Sequence, residues 1–328
     1  MSVIQSRAPL RISLGGGGTD LPSYYEQHGG FLISGAIDKY VYLLTHTVFQ
    51  NTWRMKYSEM EEVSTVDEIK HPIFREALKL HWDGPPVEIA SVADVPSGTG
   101  LGSSGTFTVA LMKALALARR QASTPGVLAE QACNIEINVL GEPVGKQDQY
   151  VAAHGGICAY TFNKDGSVDV EPLNISSQTL DNLHSKLLLF YTGATRSASA
   201  ILDDQNKRTT SSDSSMVDNL HKTKEIGYHS RELLETGDLD EYARLMHEHW
   251  LNKMKRSPGM ANPRIEELYD AALKSGAIGG KLVGAGGGGF LLVYTHEPEK
   301  TRAAMHALNA PELPFDFDWQ GAYGSWFR

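Results

Sequence analysis

The distribution of apolar and polar residues predicts strands in the N-terminal third of the chain and helices after it. Residues 11–14, 36–45 and 87–90 have the composition of short strands, and turns separate them. Apolar residues at positions 107, 110, 111, 114, 115 and 118 keep a 3.6-residue spacing, so a helix is predicted to begin near Ser103. A second helix is predicted over residues 128–140, and Gly141-Glu142-Pro143 ends it.

A polar stretch at residues 174–185 divides the pattern. We take it as the boundary between an N-terminal domain of residues 1–180 and a C-terminal domain of residues 181–328. A strand and a turn are predicted before it, at residues 155–166. The pattern after it predicts a buried strand at 186–191, helices over 216–275, and strands at 290–294 and near the C-terminus. The Ser-, Thr- and Asp-rich segment 209–218 is expected to be a mobile surface loop.

Composition and charge narrow the classes of function. The chain has 328 residues and a formal net charge of −9, which argues against a nucleic-acid partner because phosphate backbones are bound by clustered Lys and Arg. Its two cysteines, Cys133 and Cys158, exclude a disulfide scaffold. No apolar run reaches the ~20 residues that span a bilayer, and the N-terminus lacks the apolar core of a signal peptide. We therefore expect a cytoplasmic protein without a membrane partner.

The most informative segment is the glycine-rich loop PSGTGLGSSGT at residues 96–106. Glycines at alternate positions let the backbone approach a ligand closely and turn its N–H groups inward. The loop then opens the predicted helix, whose N-terminus carries partial positive charge and free N–H donors. This combination predicts a site for the phosphates of a nucleotide, where Ser103 and Ser104 could bind phosphate or Mg²⁺.

The alternative is a scaffolding turn in which Ser103 serves only as the N-cap of the helix. Three alternating glycines followed by two serines favour the phosphate site over that alternative. The segment matches neither G-x-x-x-x-G-K-[ST] nor a strand-linked G-x-G-x-x-G, which disfavours Walker-type and Rossmann sites. A metal hydrolase is also disfavoured, because the histidines of His247-Glu248-His249 are two apart and point to different sides of a helix.

Two carboxylates supply the other groups that phosphoryl transfer requires: Glu136 near the end of the second predicted helix, and Asp148 after it. One would bind Mg²⁺, and the other would accept or orient the hydroxyl proton. Taken alone, each is more typical of an exposed acidic side chain. Their occurrence in one chain with the phosphate loop makes them candidates for catalysis.

Two further glycine runs lie at residues 15–18, before Thr19 and Asp20, and at residues 284–289. Asp20 could accept hydrogen bonds from a polyol, and Arg11 could neutralise developing phosphate charge. Successive glycines are costly to order unless something passes close to the backbone. Three such loops in one chain are hard to explain as scaffolding, so we expect all three to serve a site.

Together these motifs resemble the GHMP kinases along nearly the whole chain. Residues 96–106 look like the family's P-x-G-x-G-L-G-S-S phosphate loop, residues 7–20 like its N-terminal substrate motif, and residues 281–290 like its C-terminal glycine motif. The resemblance implies an α+β fold with a ribosomal-protein-S5-like N-terminal domain and a ferredoxin-like C-terminal domain. It also implies an active site between the domains, with ATP and Mg²⁺ as cofactors.

The resemblance further implies roles for residues that match the motifs. Ser104 and Glu136 would bind Mg²⁺, Asp148 would be the catalytic carboxylate, and Arg11 would align or activate the acceptor hydroxyl. ATP contacts are expected from Pro96, Gly98, Gly100, Leu101, Gly102, Ser103, Ser104, Gly105 and Thr106. Substrate contacts are expected from Gly16, Gly17, Gly18, Thr19, Asp20, Arg196, Lys281, Gly286 and Gly287.

The motifs also bear on the substrate. Galactokinases have a Glu-His pair before Thr-Asp, whereas Gly17 and Gly18 stand there in this chain, so plain galactokinase activity is not expected. The motifs look most like those of family members that phosphorylate the anomeric hydroxyl of D-glycero-D-manno-heptose 7-phosphate, a step toward nucleotide-activated heptose. Arg196 and Lys281 are the candidates for binding the 7-phosphate. Two alternative functions stay open: a fucose- or mannose-type sugar 1-kinase and a non-catalytic sugar sensor. A homodimer is also compatible with the sequence.

Overall fold

The computed structural model describes residues 3–193, 198–257 and 259–327. Its strands are β1 (Val3–Gly15), β2 (Gly30–Thr47), β3 (Trp53–Lys56), β4 (Met60–Val63), β5 (Val87–Ala93), β6 (Ile157–Phe162), β7 (Val168–Pro172), β8 (Leu187–Tyr191), β9 (Ala277–Leu282), β10 (Phe290–Thr295) and β11 (Tyr323–Phe327). Its α-helices are α1 (Pro22–His28), α2 (Pro72–His81), α3 (Ser103–Ala118), α4 (Pro125–Cys133), α5 (Gln147–His154), α6 (Ser177–Lys186), α7 (Ala198–Thr210), α8 (Ser214–Thr236), α9 (Leu239–Met254), α10 (Pro263–Lys274) and α11 (Pro298–Ala307). A 3₁₀ helix spans Val66–Glu68 and a π-helical segment spans Asn134–Val139.

The larger sheet is built around the long strand β2, which pairs antiparallel with β1 along one edge. On its other edge, β2 pairs with β6 through residues 30–35 and with β5 through residues 41–47. The strands β3 and β4 extend the sheet beyond β5, and β7 extends it beyond β6. The last strand, β11, pairs antiparallel with the outer edge of β1, so the end of the chain returns to the sheet in which it begins.

The smaller sheet has the antiparallel order β8-β10-β9. An isolated bridge between Phe190 and Glu312 lies on the free side of β8, so a fourth strand is reduced there to a single pair. With that pair included, the order of the strands along the sheet is fourth, first, third and second, which is the ferredoxin-like arrangement expected from the sequence. The α+β fold class is confirmed.

Helices cover the sheets and bring the ends of several elements to one place. Helix α3 is buried on nearly all sides, as its almost continuous apolar sequence requires, and it packs against β1 and β2. Helix α5 packs against α3 and β1, and α9 packs against β9. Arg11 of β1 contacts Leu101 just before α3 and Asp148 in the first turn of α5, and Lys253 near the end of α9 contacts Leu282 at the end of β9. None of the helices in the described ranges is long and apolar enough to cross a membrane.

Several local predictions are confirmed, including the start of α3 at Ser103 and the strands β5, β6, β8 and β10. Others are wrong. Instead of only short strands and turns, the N-terminal third holds the long strands β1 and β2, whose side chains are mostly buried, and the helices α1 and α2. The second helix, α4, begins at Pro125, which is earlier than the predicted residue 128. Thr124 caps it by accepting a hydrogen bond from Val127 N–H. Strand β9, whose glycines hide the strand pattern, was not predicted.

Two segments, one taken as a domain boundary and the other expected to be a surface loop, are mostly helical. Residues 174–185 contain most of α6, in which Ser176 caps the N-terminus by accepting from Thr179 N–H. Residues 209–218 contain the end of α7 and the start of α8, with only a short turn between them. The division at residue 180 stays a prediction. Because β11 lies in the larger sheet, a division by sheets would assign Tyr323–Phe327 to the N-terminal unit.

Candidate active site

A cleft of about 910 Å³ lies where the three glycine-rich loops meet. Its walls come from the first loop, from the loop before α3, from the start of α5, and from α9 and β9. One end is apolar, and the other is lined by charged side chains. The apolar end is formed by Val41, Tyr57, Ile73, Phe107 and Leu140. A cleft with one apolar end and one charged end suits a ligand with a flat ring and an anionic tail.

The loop before α3 has the backbone geometry of an anion site. Gly98, Gly100 and Gly102 all have positive φ, between 77° and 84°, which favours glycine at each position. Gly102 is the N-cap of α3 and provides no side-chain cap. The hydroxyl of Ser103 is buried and has no hydrogen-bond partner among the described residues. A buried unpaired hydroxyl at a helix N-terminus fits a phosphate group that accepts from it.

The third glycine run packs against this loop instead of lining the cleft along its length. A Cβ placed on Gly284 would lie 2.6 Å from Gly100, and one on Gly100 would lie 2.8 Å from the carbonyl oxygen of Val283. Gly289 approaches the carbonyl of Thr99 too closely for any side chain. What passes close to these glycines is therefore another segment of backbone, and the two loops support each other.

Arg11 and Asp148 form the charged pair at the centre of the cleft. Arg11 Nε donates to Asp148 Oδ1 at 2.7 Å, and its Nη2 lies 2.6 Å from the same oxygen. Its Nη1 donates to the carbonyl of Gly100 at 2.6 Å. The arginine side chain is 7% exposed, whereas the Asp148 side chain is 30% exposed. Arg11 thus ties the phosphate loop to a carboxylate that faces the cleft.

Glu136 lies in the π-helical segment, and its carboxylate reaches the first turn of α3. It accepts from Ser104 Oγ at 2.6 Å and from Gln149 Nε2 at 2.9 Å. Burial raises the pKa of this carboxyl, while the hydrogen bonds from Ser104 and Gln149 oppose the shift. π-helical turns often occur at functional sites, because the extra residue redirects a side chain.

Ser104 and Glu136 fit Mg²⁺. The ion binds oxygen ligands and commonly takes one or two carboxylates together with substrate phosphates. Within the described ranges, no group of three or more His, Cys, Asp or Glu side chains could hold a metal by itself. The phosphates of a nucleotide would have to complete the coordination, and the unpaired hydroxyl of Ser103 beside them is consistent with that arrangement.

Asp20 fastens the first glycine loop to the start of α5. One carboxylate oxygen accepts from Gly18 N–H at 3.1 Å, and the other accepts from Gln147 N–H at 3.2 Å. Burial and the nearby charge of Asp148 raise the pKa of Asp20. The carboxylate still lines the cleft, so it can both hold the loop and accept a hydrogen bond from a ligand hydroxyl.

A cluster of basic side chains closes the charged end of the cleft: His249 and Lys253 of α9, Arg256 just after it, and Lys281 of β9. Of these four residues, only Lys281 belongs to the motifs that predict the site. His249 belongs to the His247-Glu248-His249 segment, in which a metal site was disfavoured. The sequence pattern that could have identified the other three is their spacing. Intervals of four and then three residues would place His249, Lys253 and Arg256 on one face of a helix.

The predicted site residues separate into two groups. The cleft is lined by Arg11, Gly17, Gly18, Asp20, Pro96, Gly98, Gly100, Gly102, Ser103, Ser104, Glu136, Asp148 and Lys281. Seven predicted residues do not line the cleft and contact other parts of the protein: Gly16, Thr19, Leu101, Gly105, Thr106, Gly286 and Gly287. Thr19 Oγ1, for example, donates to the carbonyls of Gly16 and Phe31. Arg196 lies outside the described residues.

Two models of known protein families match this chain, and both describe GHMP kinases. A model of the GHMP kinases N terminal domain matches residues 69–156, which include the phosphate loop, Glu136 and Asp148. A model of the GHMP kinases C terminal region matches residues 230–311, which include α9 and the third glycine run. Together the two matches span just over half of the chain.

Individual proteins that are similar to this chain are consistent with the two family matches. A D-glycero-alpha-D-manno-heptose 7-phosphate kinase of Campylobacter jejuni is 29% identical over 94% of each chain. The solved structure of a D-glycero-D-manno-heptose 1-phosphate kinase from Bacteroides thetaiotaomicron has a TM-score of 0.80, 26% identity and 99% coverage of both chains. A bifunctional fucokinase/GDP-fucose pyrophosphorylase of Arabidopsis thaliana is 26% identical over 92% of this chain, which spans 30% of that longer protein.

Proposed function

Because the chain belongs to the GHMP kinase family, we propose that it transfers the γ-phosphoryl group of ATP to a hydroxyl of a sugar phosphate. The observation that carries this proposal is the placement of Arg11. Its guanidinium bridges the phosphate loop at Gly100 and the cleft-facing carboxylate of Asp148. In this proposal the loop at Gly100 would hold the phosphoryl donor and Asp148 would accept the proton, so the contacts of Arg11 support a donor and an acceptor next to each other, as in-line transfer requires.

The nucleotide would extend from the apolar end of the cleft to the loop before α3. Its base fits the apolar end near Tyr57 and Phe107, and its phosphates fit the loop and the N-terminus of α3. Ser104 and Glu136 would bind Mg²⁺, which neutralises charge on the phosphates when it is present. The Ser103 hydroxyl would then donate to a phosphate oxygen, which gives its unpaired group a partner.

The acceptor hydroxyl would lie between Asp148 and the γ-phosphate. Asp148 would orient the hydroxyl and accept its proton as the bond from the hydroxyl oxygen to the γ-phosphorus forms and the bond from that phosphorus to ADP breaks. Arg11 would hold the carboxylate in place through two nitrogens and add positive charge beside the transferring group. Asp20 would accept a hydrogen bond from another hydroxyl of the sugar.

We propose D-glycero-D-manno-heptose 7-phosphate as the acceptor and its anomeric hydroxyl as the reacting group. Two relatives support a heptose phosphate, although their names differ in the position of the phosphate that the sugar carries. The product would be the 1,7-bisphosphate, which serves the synthesis of nucleotide-activated heptose and surface polysaccharide. The second candidate is a free-sugar 1-kinase, which the similarity to the fucokinase segment of the Arabidopsis protein favours.

The test is an ADP-release assay with Mg-ATP that compares heptose 7-phosphate with free heptose, mannose, fucose and galactose. Turnover only with the heptose 7-phosphate supports the first candidate, and turnover with a free sugar supports the second. Absence of turnover across the panel would contradict both and favour a sugar-binding sensor.

Asp148→Asn tests the catalytic role within the same assay. We expect turnover to fall by roughly 10²-fold or more, since the amide cannot accept the proton. Asp181→Asn, an exposed position on α6 outside the cleft, is the matched control and should leave turnover unchanged. Near-normal turnover of the Asp148→Asn variant would remove Asp148 from the catalytic role.

A further inference from the structure

The basic cluster of His249, Lys253, Arg256 and Lys281 is unusually buried for charged groups. The exposed fractions of these residues are 2%, 7%, 3% and 2% respectively. Burial of a cation costs several kcal/mol unless an anion or a set of hydrogen bonds compensates for it. The cluster faces the cleft, so a ligand could supply that compensation.

The protein itself supplies mostly neutral partners. Lys253 Nζ donates to the carbonyls of Leu282 at 2.9 Å and Gly284 at 2.5 Å. Among the residues that the structure describes, the one hydrogen-bond partner of Lys281 Nζ is the Nδ1 atom of His249, at 3.3 Å. Within the described ranges, no carboxylate oxygen lies within 4.0 Å of the Lys253, Arg256 or Lys281 nitrogens.

The same imbalance appears when the charges are paired. Arg11 is matched by Asp148, and the buried carboxylate of Asp20 attracts Arg256. Lys253 and Lys281 then have no anionic counterpart among the described residues around them. A phosphomonoester, which carries a charge of about −1.5 to −2 near neutral pH, would supply that anionic partner.

The pKa of Lys281 reflects this lack of an anionic partner. Burial, followed by the charges of Arg11 and Arg256, lowers its pKa to about 7. Burial and the neighbouring cations lower the pKa of His249 well below its ordinary value, so His249 is neutral and accepts from Lys281. The free protein therefore holds a lysine that an incoming anion would stabilise in its charged form.

The position of Arg256 indicates which ligand group the cluster binds. Its guanidinium donates to the carbonyl of Gly17 at 3.3 Å and lies against Gly18, both in the first glycine loop. Hydrogen bonds to Asn219 and Thr223 of α8 fix it there. In the proposed function the nucleotide phosphates would have their own donors at the loop before α3, so the contacts of Arg256 with the first glycine loop associate the cluster with the acceptor.

We propose that Arg256 and Lys281, positioned by Thr223, His249 and Lys253, bind a phosphate group that the sugar acceptor already carries. This inference rests on the proposed kinase function and assigns the residues that would bind the phosphate of its acceptor. The acceptor is a sugar phosphomonoester, and the free sugar is a poor substrate because it would leave the cationic site without an anion.

Lys281→Met is the main test, because methionine has a similar shape and no charge. We expect the KM for heptose 7-phosphate to rise roughly 10- to 100-fold, as the loss of a charged hydrogen bond predicts. The KM for ATP should stay within about twofold, since the nucleotide phosphates bind elsewhere. The variant without ligand should melt at a higher temperature than the wild type, because an uncompensated buried charge is gone. A residue with a purely structural role would not give this combination.

Lys224→Met is the matched control. Lys224 is a partly buried lysine of α8 that donates to the carbonyls of His28 and Gly29, and it does not line the cleft. Its substitution should lower the melting temperature and leave both KM values unchanged. If Lys281→Met leaves the KM for the sugar phosphate unchanged, or raises only the KM for ATP, the proposal is overturned. Equal turnover of the wild type with free and phosphorylated heptose also overturns it.

A binding measurement separates this inference from the proposed function. The loop before α3 is first saturated with a non-hydrolysable Mg-ATP analogue, and inorganic phosphate is then titrated by calorimetry. Suppose that the enzyme turns over no sugar phosphate. The anion site is still supported if the wild type binds phosphate and Lys281→Met binds it at least tenfold more weakly. Equal affinity of the two proteins, or no binding by the wild type, overturns it.

Discussion

Gly100 and Gly98 provide a test of the contact between the two glycine loops. Both have positive φ, 84° and 77°, so alanine at either position carries a similar backbone penalty of roughly 1–2 kcal/mol. Their surroundings differ. A Cβ on Gly100 would meet the carbonyl oxygen of Val283 at 2.8 Å, whereas a Cβ on Gly98 has no atom within 4 Å.

The difference between the two variants therefore isolates the loop contact. Gly98→Ala should lower the free energy of unfolding only by the backbone penalty. Gly100→Ala must also push residues 283–284 away, and overpacking of this kind costs about 1–3 kcal/mol more. A change of 1 kcal/mol corresponds to a shift in the melting temperature of roughly 1.5 °C for a chain of 328 residues. Gly100→Ala is thus expected to melt a few degrees below Gly98→Ala.

Thermal unfolding of both variants by circular dichroism measures this difference, with the KM for ATP as a second readout. Displacement of the loop should raise the KM for ATP in Gly100→Ala, since Gly100 also accepts from Arg11. Equal melting temperatures for the two variants would refute the idea that residues 283–284 press on the phosphate loop. A variant of Gly98 that is less stable than that of Gly100 would refute it as well.

Two further predictions concern the metal and the protons. Glu136→Gln should raise the Mg²⁺ concentration needed for half-maximal turnover by about tenfold or more, since a charged ligand is lost; an unchanged Mg²⁺ dependence would place the ion elsewhere. Sugar phosphate binding at pH 8 should take up about one proton, because the pKa of Lys281 is lowered to about 7 by burial, Arg11 and Arg256, and a bound phosphate raises it. Calorimetry in buffers of different ionisation enthalpy measures the uptake, which should be lost in Lys281→Met and should fade at pH 6, where Lys281 is already protonated.

The phosphate loop was accessible from the sequence because its signal is local. Alternating glycines, two serines and a following apolar helix lie next to one another in the chain, and Ser103 is where the helix begins. Glu136 and Asp148 could be predicted only as partners of that loop. Their contacts depend on the π-helical segment and on the packing of α5 against α3, which no local pattern shows.

The basic cluster was mostly missed for the same reason. Lys253 and Arg256 have the spacing of an ordinary solvated helix face, and they become neighbours of Lys281 only when α9 packs on β9. Burial also reverses the usual meaning of such residues, since charged side chains on helices are mostly exposed. The role of the third glycine run was misjudged because a sequence does not tell whether a ligand or another backbone segment approaches it.

The pairing of β11 with β1 has a consequence for how the protein is made. Strand β1 can pair with β2 soon after both leave the ribosome, but its outer edge has to wait for Tyr323–Phe327. At about 5–20 residues per second, that edge stays open for tens of seconds. Unpaired strand edges are templates for association with other chains. A growing chain of this protein is therefore exposed to association along the outer edge of β1 until Tyr323–Phe327 pairs with that edge.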